Sequence, residues 1–383
     1  MVLPEIFKGV VARLAKKEIV KTLLVFLFLC SANLVDARPR HLTLGPGKEP
    51  ALASDRQGGL HLIYESAAAD NDIYYRNSQD GADWQPEINL SRSAGISSEP
   101  ALTIESGGAV DAVWADTSSG SERPDIYFSR SADGGKTWSD PLDVSHTPRL
   151  SRSPSIAAGA DGSLHLCWVD TSRGHKSPDL YYAFSYNHGQ SWSRPAPISG
   201  SSGVSGSPTI CTSANGLVHI AWTDGSTRPA LRIIYGQDQG WSRARVVSTG
   251  ICSQPVLASG PKGKVDLCWI DQLQRHEIPN VYLQQVGTGR RRNLSKTSGT
   301  SRDAALTVGS HGPQVAWIDT TAGERSPDVW ISLRGRVFNL SHTPGISRAP
   351  VLAEAQGQLW TVWEELDLGN CSLKLTTLPL KGR

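Results

Sequence analysis

Short apolar runs recur along the chain in a fixed order, separated by polar stretches rich in glycine and proline. Each unit opens with an apolar triplet, usually led by proline, and a second apolar run that ends in an aromatic residue follows about a dozen residues later. The aromatic residues are Tyr64, Trp114, Trp168, Trp222, Trp269, Trp317 and Trp363, at steps of 46 to 54 residues. Repeats of this length, built from short strands, are typical of β-propeller blades. The pattern predicts seven copies of one all-β unit.

The repeat over residues 92–145 shows the elements of one unit most clearly. Apolar or alternating runs at residues 100–104, 109–114, 125–129 and 142–145 predict four short strands. Because such a blade cannot bury both of its faces alone, its neighbours must stack against it and the ring must close. We expect the repeats at residues 46–91, 92–145, 146–199, 200–248, 249–295, 296–341 and 342–383.

The two ends of the chain indicate how the ring closes. Residues 41–45 have the pattern of a fourth strand with no earlier strands before it, whereas the last repeat stops after a third strand at residues 372–378. We therefore expect an all-β fold, a seven-bladed β-propeller of four-stranded antiparallel blades in which the N-terminal strand completes the last blade. This pairing would protect both ends of the sheet series from open-edge association. Residues 38–383 would form a single domain.

The first 37 residues differ in kind from the rest. Lysines at positions 16, 17 and 21 precede a compact apolar run, and small residues stand at Val35 and Ala37. This layout predicts a signal peptide cleaved after Ala37, and hence a secreted, periplasmic or cell-surface protein. The apolar run is short for a membrane span, but an uncleaved N-terminal membrane anchor remains the alternative. Bulky Leu29 fits poorly with lipoprotein processing at Cys30.

Charge and cysteine content limit the classes of function. Without residues 1–37 the chain has 33 basic and 33 acidic residues, which gives no support for binding nucleic acid or an anionic membrane. Five cysteines remain, an odd number without compact spacing, so a disulfide framework is not expected. The sequence leaves open whether Cys211 and Cys252, in neighbouring repeats, form a disulfide. It contains no metal-ligand pattern and implies no cofactor.

A distinctive turn follows the third predicted strand of the second repeat. Residues 131–138 read Ser-Ala-Asp-Gly-Gly-Lys-Thr-Trp, and the third repeat has a near copy at residues 185–192. This octet resembles the Asp box (BNR repeat), S-x-D-x-G-x-T-W, of sialidase-like β-propellers. The resemblance rests on Ser131, Asp133, Gly135, Thr137 and Trp138, and on Ser185, Asn187, Gly189 and Trp192 in the near copy. An Asp side chain in such a turn accepts backbone N–H bonds, and glycine permits a positive φ, so we expect a structural role.

The resemblance carries implications for architecture. The first and fourth repeats hold only shorter remnants of the octet, and the last three repeats lack it. In sialidase-like propellers the Asp boxes lie on the face opposite the active site. Sialidases have six blades, so a six-bladed sialidase-type propeller is the alternative to seven.

Two sets of residues are candidates for ligand binding on the other, upper face. The acidic set stands two residues after each strand aromatic and consists of Asp116, Asp170, Asp224, Asp271, Asp319 and Glu365. The basic set stands two residues before the triplet and consists of Arg152, Arg302 and Arg348. The resemblance implies that three arginines clamp a substrate carboxylate, for which planar guanidinium groups are suited. A calcium ion could also occupy the acidic ring.

A structural interpretation of the same residues stays open. The aspartates fit Asx-type turns that cap their own loops, and the arginines could pair with them between blades. No catalytic residue can be assigned, because a retaining sialidase also needs a Tyr–Glu nucleophile pair and an acid/base Asp. Tyr64 and Glu65 are adjacent, but Tyr64 takes the place of the structural tryptophan.

These observations lead to three functional hypotheses. The first is an exported sialidase-like propeller that binds a glycan or protein ligand on its upper face. The second is an exo-sialidase or related glycoside hydrolase that uses the arginine cluster. The third is a structural interaction platform of the cell envelope. The sequence does not indicate an oligomeric state.

Overall fold

The computed structural model describes residues 41–68, 71–120, 123–174, 178–200, 203–226, 229–237, 240–272 and 277–380. The predicted signal peptide, residues 1–37, lies outside the described residues. Within these ranges the chain forms 29 strands that pair into seven antiparallel sheets. No helix in the described ranges is long and apolar enough to cross a bilayer.

The seven sheets are the blades of a propeller. The first strand of the chain, β1 (Leu42–Pro46), belongs to the last blade. Blades 1 to 3 contain β2 (Lys48–Ser54), β3 (Leu60–Glu65), β4 (Ile73–Ser78) and β5 (Ile88–Asn89); β6 (Ser97–Ile104), β7 (Val110–Asp116), β8 (Asp125–Ser131) and β9 (Leu142–Asp143); β10 (Ser151–Ala158), β11 (Leu164–Asp170), β12 (Asp179–Ser185) and β13 (Ala196–Pro197).

The remaining blades follow the same order. Blade 4 has a fifth strand, because both β17 and β18 pair with its third strand. Blades 4 to 7 contain β14 (Ser205–Thr212), β15 (Val218–Asp224), β16 (Ala230–Gln237), β17 (Gly240–Trp241) and β18 (Arg245–Thr249); β19 (Ile251–Ser259), β20 (Val265–Gln272), β21 (Asn280–Gln285) and β22 (Arg291–Asn293); β23 (Ser301–Gly309), β24 (Gly312–Asp319), β25 (Asp328–Leu333) and β26 (Arg336–Asn339); β27 (Ile346–Ala355), β28 (Gln358–Asp367) and β29 (Asn370–Pro379).

The N-terminal strand closes the ring. β1 pairs antiparallel with β29, with Leu42 opposite Leu375, so blade 7 has the order β1-β29-β28-β27. The prediction of a seven-bladed propeller closed by its first strand is therefore confirmed, and the six-bladed alternative is wrong. Closure satisfies the edge of β29, which would otherwise present unpaired N–H and C=O groups.

The hydrophobic core consists of layers between blades rather than one central mass. The second strand of each blade is buried on both faces, as its continuous apolar run predicts. The tryptophan near its end is wholly inaccessible to solvent in blades 2 to 7. Each layer joins residues of two adjacent blades, for example Ile63 and Tyr75 of blade 1 with Trp114 of blade 2. The strand tryptophans thus hold neighbouring blades together.

The chain direction defines two faces around the central channel. The inner strand of each blade begins on the upper face, which also carries the second-to-third loops and the connections between blades. The turns from first to second strand and from third to fourth strand lie on the lower face. The residues that begin the inner strands therefore meet at the upper mouth of the channel.

Candidate functional site

The upper mouth of the channel is ringed by seven residues in a left-handed backbone conformation. Each directly precedes the triplet of an inner strand, and their φ angles lie between 43° and 56°. They are Glu49, Glu99, Ser153, Ser207, Gln254, Asp303 and Ala349. A non-glycine residue in this region costs about 1 to 3 kcal/mol, and such strain is concentrated at functional sites. In every blade, the register between the first and second strands shifts at this residue. Such a shift is a β-bulge.

Side chains of this ring bind the next blade. The Glu99 carboxylate accepts a hydrogen bond from Ser153 N at 2.5 Å. Gln254 Oε1 accepts one from Asp303 N at 2.7 Å, while Gln254 Nε2 donates to Asp303 Oδ1 at 2.6 Å. These bonds join blade 2 to blade 3 and blade 5 to blade 6, and they hold the strained backbone in place.

A pocket of about 430 Å³ lies at the mouth, between blades 1, 5, 6 and 7. Its volume falls in the range of roughly 300–1,000 Å³ that is usual for small-ligand sites. The pocket floor includes Pro350 and Val351 of the last inner strand. Its polar lining consists of Lys48, Glu49, Gln254, Asp303, Arg348 and Glu364. We call this cavity the mouth pocket.

The charges of the mouth pocket are only partly paired. Lys48 Nζ lies 2.6 Å from Glu65 Oε1, and this hydrogen bond raises the pKa of Lys48. Arg348 Nη1 lies 3.9 Å from Glu364 Oε1, which is too far for a hydrogen bond. The Arg348 side chain remains 48% exposed, whereas that of Glu364 is 10% exposed. Among the described residues, the Arg348 guanidinium has no hydrogen-bond acceptor, and it lines the same cavity as the nearly buried carboxylate of Glu364.

The carboxyl group of Glu49 sits among other acids. The Glu49 side chain is exposed at the channel. The surrounding protein nevertheless removes part of the hydration of its carboxylate, and this desolvation raises the pKa of Glu49. The negative charges of Glu65 and Glu99 raise the pKa further. The backbone N–H of Glu49 also donates to Glu364 Oε2 at 3.4 Å, and the charge of Glu364 raises the pKa of Glu49 as well. With Asp303, the mouth pocket thus holds three carboxyl groups.

The three candidate arginines do not share one site. Arg348 lines the mouth pocket, but Arg152 and Arg302 do not. Arg302 is half-exposed beside its neighbour, with 4.0 Å between its Nε and Asp303 Oδ2. Arg152 is exposed on blade 3, three blades away around the ring from the other two. The structure therefore brings one of the three into the cavity.

The acidic candidates are enclosed within the blades. Asp116 is buried, and its carboxylate accepts hydrogen bonds from Trp114 Nε1 at 3.2 Å, Ser97 Oγ at 2.6 Å and Ser118 N at 2.7 Å. The bond from the strand tryptophan recurs at Asp170, Asp271, Asp319 and Glu365. Asp224 instead binds Arg232 Nε at 2.5 Å. These contacts fix the loop after each second strand.

The turn at residues 131–138 lies on the lower face, and hydrogen bonds to its aspartate stabilise it. Asp133 Oδ1 accepts bonds from Lys136 N at 3.0 Å and Thr137 N at 2.9 Å, and Thr137 Oγ1 donates to Oδ2 at 2.6 Å. These bonds hold the pKa of Asp133 well below its usual range. Ser131 Oγ also accepts from Gly135 N at 2.7 Å.

The near copy at residues 185–192 uses an amide in the same position. Asn187 Oδ1 accepts from Ser191 N at 3.0 Å, and Ser185 Oγ accepts from Gly189 N at 2.9 Å. Trp192 packs edge-on against Phe128 of the preceding blade, with 5.3 Å between ring centroids. Both turns therefore pack a blade onto its predecessor.

A disulfide and a metal site are two features that the sequence leaves open. Cys211 and Cys252 are free thiols in the layer between blades 4 and 5, and burial raises the pKa of each to about 12. Within the described ranges, no group of three or more His, Cys, Asp and Glu side chains is arranged to hold a metal ion.

Sequence reasoning missed most of the mouth pocket. It selected Arg348 from positions that look alike in several repeats, and it passed over Lys48, Glu49, Gln254 and Glu364. The available signal was the position directly before each triplet, which holds Glu, Ser, Gln, Asp or Ala in otherwise similar repeats. A variable polar position inside a constant frame is where a repeat protein places its ligand contacts.

Comparison with known proteins shows similarity of structure only. No family model and no curated protein sequence matches the chain. An ulvan lyase structure, a polysaccharide lyase, has a TM-score of 0.60 at 10% identity and covers 90% of this chain and 97% of its own. The intramolecular trans-sialidase of Ruminococcus gnavus has a TM-score of 0.55 at 10% identity, covering 90% and 98%. A Hadza microbial sialidase has a TM-score of 0.52 at 17% identity, covering 84% and 73%. The chain thus has a sialidase-like β-propeller fold.

Proposed function

We propose that this protein is an exported glycan-binding propeller whose ligand occupies the mouth pocket on the upper face. The observation that carries the proposal is the convergence of Arg348, Lys48, Glu364 and Gln254 in one cavity on a strained ring. Export rests on the N-terminal sequence, which the fold does not test.

The pocket chemistry suits a polyhydroxylated ligand. Sugar hydroxyls both donate and accept hydrogen bonds, and the cavity offers donors in Arg348 and Lys48 and acceptors in Asp303 and Glu364. The free guanidinium donors of Arg348 can bind a carboxylate bidentately. A sugar with an acidic group, such as a sialic acid, would therefore gain one charge-assisted contact over a neutral sugar.

The structural neighbours support a carbohydrate ligand. The ulvan lyase was solved bound to a glucuronic acid–sulfated rhamnose unit, and the R. gnavus enzyme in complex with oseltamivir carboxylate. Both ligands carry a carboxylate on a ring. At 10% identity these neighbours share only the fold with this chain. A carbohydrate ligand for this chain is our proposal.

A second candidate is a glycoside hydrolase. The observation that favours it is that Glu49 and Glu364 both line the mouth pocket, and that burial and neighbouring acids raise the pKa of Glu49. Two carboxyl groups with different pKa values are the usual acid/base pair of glycosidases. Binding ranks first, because only one of three candidate arginines lines the cavity.

Calorimetric titration with sialyllactose and with lactose tests the proposal. We expect sialyllactose to bind more tightly than lactose, and Arg348→Ala to weaken sialyllactose binding by tenfold or more, since a charged hydrogen bond contributes about 1.5–3 kcal/mol. Arg152→Ala is the matched control, because Arg152 occupies the same repeat position outside the pocket. The sialyllactose affinity of the Arg152→Ala variant should stay within twofold of that of the unmodified protein.

Failure of both sugars to bind would overturn the glycan proposal and favour the interaction platform. Equal losses in the two arginine variants would place the ligand elsewhere. Release of the fluorophore from a fluorogenic sialoside, abolished by Glu364→Gln, would instead establish the hydrolase. Circular dichroism of each variant checks that the fold is retained.

A further inference from the structure

On the lower face, the boundary between blades 5 and 6 lacks the long turn that packs across the boundaries of blades 1 and 2 and of blades 2 and 3. In blades 2 and 3, the turn between third and fourth strands folds over an aromatic residue of the preceding blade: Gly135 lies on Tyr75 and Gly189 on Phe128. The residue of blade 5 at the equivalent place is Leu283. Blade 6 covers it with a two-residue loop only, because Leu333 pairs directly with Arg336.

The blade 6 loop is a tight hairpin turn. Arg334 and Gly335 have φ angles of 53° and 77°, as expected for a type I′ turn. Nothing lies within 4 Å of a Cβ placed on Gly335, so the loop does not press on blade 5. The space that the longer turn fills in blade 2 is left open here.

Two adjoining cavities occupy this space. They measure about 650 Å³ and 690 Å³, and they share Leu283, Arg292 and Pro313 as lining. One includes the turn between the first two strands of blade 5, and the other includes the outer strand of the same blade. Together they form a groove that runs from the lower face towards the rim, which we call the blade 5–6 groove.

The groove is strongly basic. Its lining includes six cations that form no ion pair within 4 Å with any described carboxylate: Lys262, Lys264, Arg290, Arg292, Lys296 and Arg334. Among the described residues of the lining, Asp266 is the only carboxylate, and it is buried. Glu354 lies close by, but it is bound by Ser310 and His311. In a chain that is nearly neutral overall, this cluster creates a local positive potential.

We propose that the blade 5–6 groove binds an anionic polysaccharide, as a second site on the face opposite the mouth pocket. Cations spaced along an elongated groove match charges that repeat along a polymer better than they match one small anion. Arginine guanidinium groups bind sulfate and carboxylate bidentately, and lysines add charge that tolerates variation in position.

The lining favours a polysaccharide over a nucleic acid. Single-stranded nucleic acids bind through bases stacked on exposed aromatic rings. Of the described residues that line the two cavities, His311 alone has an aromatic ring, and its Nδ1 lies 3.5 Å from Glu354 Oε1. The adjacent Tyr282 ring is covered by Arg291, whose guanidinium lies 5.6 Å from the ring centroid.

The test measures binding of fluorescent dextran sulfate, with neutral dextran for comparison, at about 0.15 M salt. We expect dextran sulfate alone to bind and the double variant Lys262→Ala/Arg290→Ala to lose tenfold or more in affinity. Both side chains are exposed, so the variant should fold. The matched control, Arg56→Ala/Lys136→Ala, removes two exposed cations from the lower face of blades 1 and 2 and should change affinity less than twofold.

Each other outcome overturns the proposal. Absence of dextran sulfate binding would do so, as would equal losses in the two double variants, which would reveal binding by net charge alone. Tighter binding of a short DNA duplex than of dextran sulfate would make the groove a nucleic-acid site. Sialyllactose binding is measured on the same samples, so that the two proposals fail separately. Binding of dextran sulfate without sialyllactose contradicts only the mouth-pocket proposal, and binding of sialyllactose without dextran sulfate contradicts only this one.

Discussion

Blades 2 and 6 join their third and fourth strands in two different ways. In blade 2 the turn of residues 131–138 folds back, and Gly135 packs on Tyr75 of blade 1. In blade 6 the loop has two residues, Arg334 and Gly335, and makes no such contact. The length of this turn therefore decides whether it reaches an aromatic residue of the preceding blade on the lower face.

The same contrast appears at two aspartates in equivalent positions, three residues before the strand tryptophan. Asp111 of blade 2 is fully buried, with its Oδ1 3.2 Å from Arg130 Nη1 and its Oδ2 without a partner among the described residues. Arg130 also binds Glu105. Asp266 of blade 5 lines the blade 5–6 groove, where its neighbours are cations. Asp111 is thus shut off from solvent with one cation beside it, whereas Asp266 lines a groove with several cations.

The largest expected effect comes from filling the sealed turn. Gly135→Ala should destabilise the protein by about 3–5 kcal/mol, because the new Cβ overlaps the Tyr75 hydroxyl and the backbone φ is positive. Gly335→Ala, with positive φ but open space, should cost only about 1–2 kcal/mol. Equilibrium unfolding in urea measures both. Equal losses would show that the turn of blade 2 does not depend on its contact with blade 1.

Removing the charge of the buried Asp111 should stabilise the protein. Burial raises the pKa of Asp111 to about 8, well above its unfolded value, so the folded state loses stability as pH rises from about 4 to 8. Asp111→Asn removes this loss and leaves Arg130 paired with Glu105. We expect a gain of about 1–3 kcal/mol at pH 8.

The pH dependence of this gain is its internal control. At pH 4 the free energies of unfolding of the two proteins should differ by less than about 1 kcal/mol, because Asp111 is then protonated in the folded state and close to its ordinary pKa in the unfolded state. A gain of equal size at pH 4 and pH 8 would contradict the assignment to ionisation. Thermal unfolding followed by calorimetry across this pH range supplies both values.

The architecture was predictable because it depends on features that every repeat shares. Apolar runs, strand aromatics and the unpaired end strands at residues 41–45 predicted seven blades and the closure between β1 and β29, since burial and edge pairing act in the same way in each copy. The mouth pocket depends instead on which copies meet across the channel. Lys48 and Gln254 are 206 positions apart in the printed sequence, and only the closed ring brings them together.

The blade 5–6 groove was hidden for a different reason. Total charge is nearly balanced, so the cations of blades 5 and 6 do not stand out in the composition. The absence of the octet from the last three repeats is visible in the sequence, but its consequence is not. That consequence, a groove beside the buried Leu283, depends on which residue the preceding blade places next to the short turn.

A smaller effect is expected from removing the aspartate that holds the sealed turn. Asp133→Ala should cost about 1 kcal/mol, comparable to the loss of a helix cap, because four donors lose their acceptor. Asp133→Asn should cost less, since Asn187 holds the equivalent turn of blade 3. The bonds to the carboxylate lower the pKa of Asp133, so they contribute above its ordinary pKa and are lost at more acidic pH. The deficit of the Ala variant should therefore be smaller at pH 3 than at pH 7 without vanishing, because the lowered pKa keeps Asp133 ionised in the folded state at pH 3. Urea unfolding at the two pH values measures this difference.

The smallest expected effect concerns Asp266 and sharpens the contrast with Asp111. Burial raises the pKa of Asp266, while Arg292 and Lys264 lower it, so its charge is balanced within the groove and Asp266→Asn should change stability by less than about 1 kcal/mol. The same substitution removes the only carboxylate that lines the groove, and dextran sulfate affinity should rise about two- to threefold by reduced repulsion. Asp111→Asn, sealed beneath the lower face, should leave that affinity unchanged. An equal rise in both variants would mean that the polymer responds to net charge, and the open boundary between blades 5 and 6 would then have no special role.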